Sequence, residues 1–274
     1  MKEKIIVTLT SYKDRLANLP VVLDTIYHQT VAPDQVVLNL ANETVVPAEV
    51  QEYLDQHGII TFRVPDTKVY KKLVPTLKRF PDDVVIAIDD DWLYPQGMIE
   101  DFMETHERFP DHPISGHGAV AFDMMCHCGC ASLTMARFFG ETLDLIDDSV
   151  ILNCPSDDIV YTYFSIKAGH PYVRPKGIYF TNMVPYNAGE SYSLQNAKGI
   201  EDSYQYLVDR FGPLPNFVES YLGETQLSEQ VFHVHETICQ QHEEKLRATK
   251  AFRIGKTITK PFAWVKRLLH NDKG

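Results

Sequence analysis

The sequence predicts an α/β fold, with a mainly parallel sheet in the first half joined to a more irregular second half. Three observations predict it. Short β-rich apolar runs alternate with segments of helical spacing from residue 5 to residue 88. The runs are continuously apolar, as in Val84–Ile88, so the sheet is covered on both faces. Three run ends carry polar clusters, Thr10–Arg15, Asn39–Glu43 and Asp89–Asp91. Such clusters belong at the carboxyl edge of a parallel sheet, where ligands bind.

Each element has its own signal. Ile5–Leu9, Gln35–Asn39, Ile59–Val64 and Val84–Ile88 are the predicted strands. Between them, Leu16–Gln29 is expected to be helical, because Leu19, Val22, Leu23 and Ile26 recur near helical spacing. Val50–His57 is a second predicted helix, with Gly58 at its C-cap. Val69–Phe80 is a third, which Pro75 splits or kinks. Asp91–Arg108 is expected to be helical on the strength of Met98, Ile99, Phe102 and Met103. In the mixed stretch 114–200 one helix stands out, from Asp157 to about Ala168, with Ser156 at its N-cap and Gly169 closing it.

Length and charge bound the rest. The chain of 274 residues suits one α/β domain over residues 1–240 and a C-terminal extension over 241–274. Its formal net charge of −11 speaks against a nucleic-acid binder. Residues 241–274 carry nine Lys and Arg against three Asp and Glu, a net of +6 that leaves −17 on residues 1–240. Within that tail, Ile258, Phe262, Val265 and Leu269 share a helical face among basic residues. The segment 245–269 therefore suits peripheral contact with an anionic membrane. A helix docked on the acidic body or on a partner subunit is the alternative. The opening Met1–Val7 holds an apolar run too short for a secretory signal, and no stretch approaches a transmembrane span. A cytoplasmic protein, peripheral on the inner face of the membrane, is the expectation. Five cysteines without a secretory signal fit a reducing compartment.

Asp89-Asp90-Asp91 carries the strongest chemical signal. Three adjacent carboxylates repel one another unless a cation neutralises them. On an extended chain Asp89 and Asp91 face the same way. Hard oxygen donors suit Mn2+ or Mg2+ bridged to diphosphate oxygens. A solvated acidic loop is the bland alternative, which the position at a buried strand's end disfavours.

Asp157-Asp158 is the second acidic element. Neighbouring carboxylates raise each other's pKa, which suits a base that accepts a proton from a hydroxyl, although a helix start opposes that shift. Acids also decorate helix starts with no further role. His233-Val234-His235 would share a face if extended, and imidazole suits Mn2+. Cys126-His127-Cys128-Gly129-Cys130 is spaced too tightly for zinc and is expected to line one face of a strand with small apolar side chains.

The opening Ile5–Tyr12 with Arg15, Val84–Asp91, and Asn153–Ile159 together resemble GT-A glycosyltransferases over residues 4–180. The likeness is to family 2-like bacterial enzymes, with exostosin-like features in the two acidic elements. It implies a Rossmann-like nucleotide-binding half joined to an irregular acceptor-binding half. It also implies a nucleotide-sugar donor, UDP-linked by expectation, and a cell-envelope glycan or glycolipid acceptor. By that resemblance Asp91 and Asp89 would ligate the metal, with His233 or His235 as a further ligand. Thr10, Tyr12, Arg15, Asn39, Lys72, Asp89 and Asp90 would bind the donor, Asn39 by its base edge and Lys72 (or Lys71) by its diphosphate. Asp158, with Asp157 as second choice, would be the catalytic base of an inverting transfer; in a retaining one, which the exostosin-like features leave open, the acidic pair would orient the donor. A sugar nucleotidyltransferase is the nearest rival. It would normally want a Gly-rich phosphate loop after the first strand, where Thr10-Ser11-Tyr12-Lys13 stands instead. A non-catalytic glycan- or nucleotide-binding module is the other.

Overall fold

The computed structural model describes residues 3–127, 130–175, 183–186, 197–215 and 228–248. The chain divides into two compact units, Met1–Gly223 and Glu224–Gly274. In the first unit the strands are β1 (Ile5–Thr10), β2 (Gln35–Ala41), β3 (Ile60–Val64), β4 (Val84–Ile88), β5 (Trp92–Leu93), β6 (Ile114–Ser115), β7 (Val120–Ala121), β8 (Met124–Met125), β9 (Ala131–Thr134) and β10 (Val184–Pro185). Its helices are α1 (Leu19–Tyr27), α2 (Ala48–Gln56), α3 (Val74–Arg79), α4 (Met98–Arg108), α5 (Asp148–Asn153), α6 (Asp157–Lys167) and α7 (Ala197–Phe211). The described part of the second unit is α8, Ser228–Ala248. This helix runs through the boundary expected at 240/241.

Six strands form the main sheet in the order β3-β2-β1-β4-β9-β6. The first four are parallel; β9 and β6 continue the sheet antiparallel to their neighbours. The central strands have no exposed face, which is why their sequences are continuously apolar. On one face Ile6, Val37, Val85 and Ala87 pack with Tyr70, Leu73 and Leu77 and with Ile159, Val160 and Phe164 of α6. Thr8 and Asn39 follow Ile6 and Val37 at the strand period of two, so they point to the same face.

Local chemistry explains where the helices begin. Pro75 removes an N–H from the predicted third helix, which divides into a 3-10 turn over Lys68–Lys72 and α3 with proline in its first turn. Gly58 and Gly169 close α2 and α6 in the left-handed region, at φ +62° and +93°. Ser156 stands at the N-cap of α6, its own N–H donating to Ser203 Oγ at 3.2 Å. The helix expected from Asp91 starts later, at Met98. Trp92–Leu93 is drawn instead into an antiparallel pair with β10, and Tyr186 N–H donates to the Asp91 carbonyl at 2.7 Å.

Two further expectations are corrected. His233 and His235 lie on α8, not on an extended segment. Positions two apart on a helix sit about 200° apart around the axis, so the basis for a shared metal-binding face is gone. β8 ends at Met125, so Cys126 and His127 are not in a strand. Cys126 and Cys130 are nevertheless buried, as small apolar residues would be, and Cys128 lies outside the described residues. The tail beyond residue 248 also lies outside them. Among the described residues no helix is long and apolar enough to cross a membrane.

Candidate functional site

The sheet order sets the place. The chain runs outward from β1 through β2 to β3 and returns as β4 on the other side of β1. The switch point thus lies between β1 and β4, where parallel sheets open a crevice beyond their carboxyl ends. Arg15 is carried there by the 3-10 turn Lys13–Asn18 that follows β1, and Asp89, Asp90 and Asp91 by the end of β4.

Arg15 gathers two of the three acids. Its guanidinium is 2.7 Å from Asp90 Oδ1 and forms a second ion pair with Asp91. It also lies over the ring of Tyr12, 5.5 Å from the centroid, and Tyr12 is itself exposed. Asp89 turns the other way, to the Lys72 ammonium at 2.7 Å. Lys72 is buried, with only 4% of its side chain exposed, while its neighbour Lys71 pairs with Asp66 instead. Beneath the triplet, the Tyr94 hydroxyl accepts the Asp89 N–H at 2.9 Å and donates to the Cys130 carbonyl at 2.7 Å.

The second acidic element reaches the same point from α6. Asp157 is 2% exposed and Asp158 half-buried. Burial works against the Lys72 ammonium, but Asp89, Asp157 and Asp158 together hold its pKa above the ordinary lysine value. Lys72 therefore stays charged at the centre of the two acidic elements. Burial raises the Asp157 carboxyl against the pull of Lys72. Burial also pushes Asp90 up to about 6 against the pull of Arg15, with Asp89 and Asp91 adding to the rise. Asp91 is raised by burial and then by Asp89. Five carboxylates thus lie with two cations at the half-buried carboxyl edge of the sheet. Surplus negative charge in such a place favours a bound cation.

Whether the residues suit a divalent ion can be judged from the donors. Among the described residues no group of three or more His, Cys, Asp or Glu closes on one point. Mg2+ and its relatives, however, are commonly held by one or two carboxylates together with substrate phosphates. Asp89 and Asp91, both partly exposed at the end of β4, supply that donor set. The site fits a metal that arrives with a diphosphate, not a preformed cage.

Two expected donor contacts fall elsewhere. Asn39 is fully buried, because β2 continues to Ala41 and leaves it inside the sheet. Its amide donates to Thr76 Oγ1 at 2.9 Å and to Thr8 Oγ1 at 3.1 Å, and Thr8 Oγ1 donates to the Lys72 carbonyl at 2.7 Å. Asn39 cannot read a base; it fastens the turn that carries Lys72. Thr10 is tied similarly, its hydroxyl donating to the Asn39 carbonyl at 2.7 Å. Asn39→Ala is expected to cost about 2–3 kcal/mol, since it strips donors from buried hydroxyls. Nucleotide preference should not change. Urea unfolding and a donor panel check the two halves of that expectation.

The sequence hid a further group around Lys72. His127 is buried, with Nδ1 at 3.0 Å from the Tyr172 hydroxyl and its main-chain N–H donating to Thr162 Oγ1 at 2.8 Å. Thr162 in turn donates to the Asp158 carbonyl at 2.6 Å. Burial, and then Lys72, hold the imidazole well below its ordinary pKa, so it is neutral at neutral pH. His127 Nε2 and the Tyr161 hydroxyl, both buried, have no partner among the described residues. The cysteines around His127 draw the eye to zinc or to apolar packing, and nothing local shows that the ring lies within electrostatic reach of Lys72.

Among solved structures the chain is similar to the mannosyltransferase PcManGT from Pyrobaculum calidifontis, in complex with GDP-Man and Mn2+. The match is 15% identical, covers 100% of this chain and 89% of that one, and has a TM-score of 0.56. A 4-diphosphocytidyl-2C-methyl-D-erythritol synthase matches 65% of this chain and 90% of its own at 12% identity, with a TM-score of 0.43 too low to carry weight. No protein-family model and no curated protein sequence matches the chain. At this identity the likeness speaks for architecture alone. The chain has a GT-A-like fold of Rossmann type, built on a mostly parallel six-stranded sheet.

Proposed function

We propose that the protein is a glycosyltransferase that moves a sugar from a nucleoside-diphosphate donor, UDP-linked in this reading, to a cell-envelope glycan or glycolipid. One observation carries the proposal: buried Lys72 sits among Asp89, Asp157 and Asp158 at the switch point of a GT-A-like sheet. The mannosyltransferase of similar fold, in complex with GDP-Man and Mn2+, supports a nucleotide sugar and a divalent metal.

Asp91 and Asp89 would hold Mn2+ or Mg2+, which when bound offsets charge developing on the leaving diphosphate. Arg15 and Lys72 bring permanent positive charge to the same edge of the sheet, where it favours the diphosphate. Tyr12, exposed beside Arg15, offers a ring to the base. Asp158, the more accessible of its pair, takes the proton from the acceptor hydroxyl as that oxygen attacks the anomeric carbon, in an inverting transfer. Asp157 stays buried and keeps Lys72 in place. A peripheral seat on the inner face of the membrane through residues 245–269 completes the proposal.

Melting curves with UDP- and GDP-sugars, each with and without Mn2+, test the donor site. A donor at a hundred times its Kd should stabilise the protein by about 2.7 kcal/mol, and only with metal. Asp91→Ala should lose that metal dependence. A wild-type protein indifferent to every donor, or a variant that keeps the metal effect, overturns the reading.

A further inference from the structure

Four residues other than glycine have positive φ among the described residues: Lys13 (45°), Lys68 (54°), Phe122 (51°) and Asp123 (60°). Side chains resist this region, and residues held there gather at functional sites. The first two fit that rule. Lys13 opens the 3-10 turn that delivers Arg15, and Lys68 opens the turn that delivers Lys72. Phe122 and Asp123 are the remaining case.

They form the two-residue turn of the β7–β8 hairpin, with Ala121 paired to Met124. A turn with both central residues at positive φ is ordinarily given to Asn-Gly or Gly-Gly. A phenylalanine there is a poor choice for stability. The residue is 36% exposed, and its ring lies parallel to that of Tyr204 on α7, with centroids 4.2 Å apart and planes 10° apart. The preceding residue, Ser203, is the one whose hydroxyl accepts the Ser156 N–H at the start of α6. The helix that carries Tyr204 is therefore tied to the helix end that bears Asp157 and Asp158. Burial, and then Asp123, raise the Tyr204 phenol, which keeps its O–H as a hydrogen-bond donor.

An apolar flat face with a phenol and a carboxylate at its rim matches one ligand chemistry well. A pyranose has a flat C–H face and a rim of hydroxyls, and aromatic rings with a polar handle take both. A lipid chain would find too little apolar surface and a carboxylate in the way. We propose that Phe122, backed by the Tyr204 ring stacked on it and rimmed by Asp123, offers its outer face as a platform for a saccharide ring of the acceptor, next to the helix that is tied to the start of α6. The inference rests on the glycosyltransferase reading and deepens it by naming the acceptor's seat.

Phe122→Gly removes the ring and also the backbone strain. Binding of octyl β-D-glucoside, octyl β-D-galactoside and octyl α-D-mannoside, each below micelle formation, would be measured by titration calorimetry on the full chain. At least one should bind the wild type and bind Phe122→Gly at least ten-fold more weakly. Phe122→Tyr, which keeps a ring, should bind within about three-fold of wild type. The proposal is overturned if none binds the wild type, if Phe122→Gly binds as wild type does, or if Phe122→Tyr is as weak as Phe122→Gly. Metal-dependent stabilisation of the wild type by donors, measured on the same preparation, reports the donor site separately. Its absence would sink the transferase reading and leave the glycoside result standing as saccharide binding alone.

Discussion

Lys72→Met is expected to destabilise the protein by about 3–5 kcal/mol and to abolish donor turnover. The ammonium is buried 2.7 Å from Asp89 and holds Asp157 and Asp158 electrostatically. Removing one member of a buried charge group leaves the others desolvated without compensation, which costs more than the group ever contributed. Folding and function can be separated with a second substitution. Lys72→Met with Asp89→Asn removes the closest ion pair as a unit, so part of the lost stability should return, Asp157 staying buried without its cation. Turnover should not return, because the site has lost both the buried cation that faces the diphosphate and Asp89, one of the two proposed metal ligands. Denaturant midpoints and nucleotide release from the donor check the two quantities. A double variant that regains activity would mean that Lys72 serves the fold alone.

Asp158→Asn is expected to cut transfer by about 10²–10⁴-fold, the usual contribution of a general base. Donor affinity should change by less than two-fold. The substitution keeps shape, and the backbone contact that fixes the residue, Thr162 to the Asp158 carbonyl at 2.6 Å, does not involve the carboxylate. Stability should fall less than with the same change at Asp157, because Asp158 is the more exposed of the two acids that face Lys72. Asp157→Asn should behave otherwise, since that carboxyl is buried beside Lys72 and its loss touches the charge balance. Single-turnover transfer at saturating donor, with melting curves alongside, distinguishes them. Near-normal transfer by Asp158→Asn would place the base elsewhere.

The architecture was legible because its signals are local. Val84–Ile88 is a run of five apolar residues ended by acids, and the strand has those limits. Ser156 and Gly169 bracket α6 as a cap and a left-handed stop should. The acidic elements were legible for the same reason, as charges in places where the fold does not need them. What escaped depends on partners far along the chain. Trp92–Leu93 is a strand only because Val184–Pro185 lies beside it. Asn39 looked like a strand-end ligand, but its partners Thr8 and Thr76 are 31 and 37 residues away, and they turn it inward. His127 meets Thr162 and Tyr172 across 35 and 45 residues. The face shared by His233 and His235 failed on one assumption, that the segment is extended.

The peptide at Asp91 is held apart from its side chain. Its carbonyl accepts the Tyr186 N–H, and the next two residues are laced to Val184–Pro185. A carboxylate can thus be deleted at this position without releasing the main chain that carries it. Whatever Asp91→Ala does to an incoming cation should be a loss of ligand, not a loss of place.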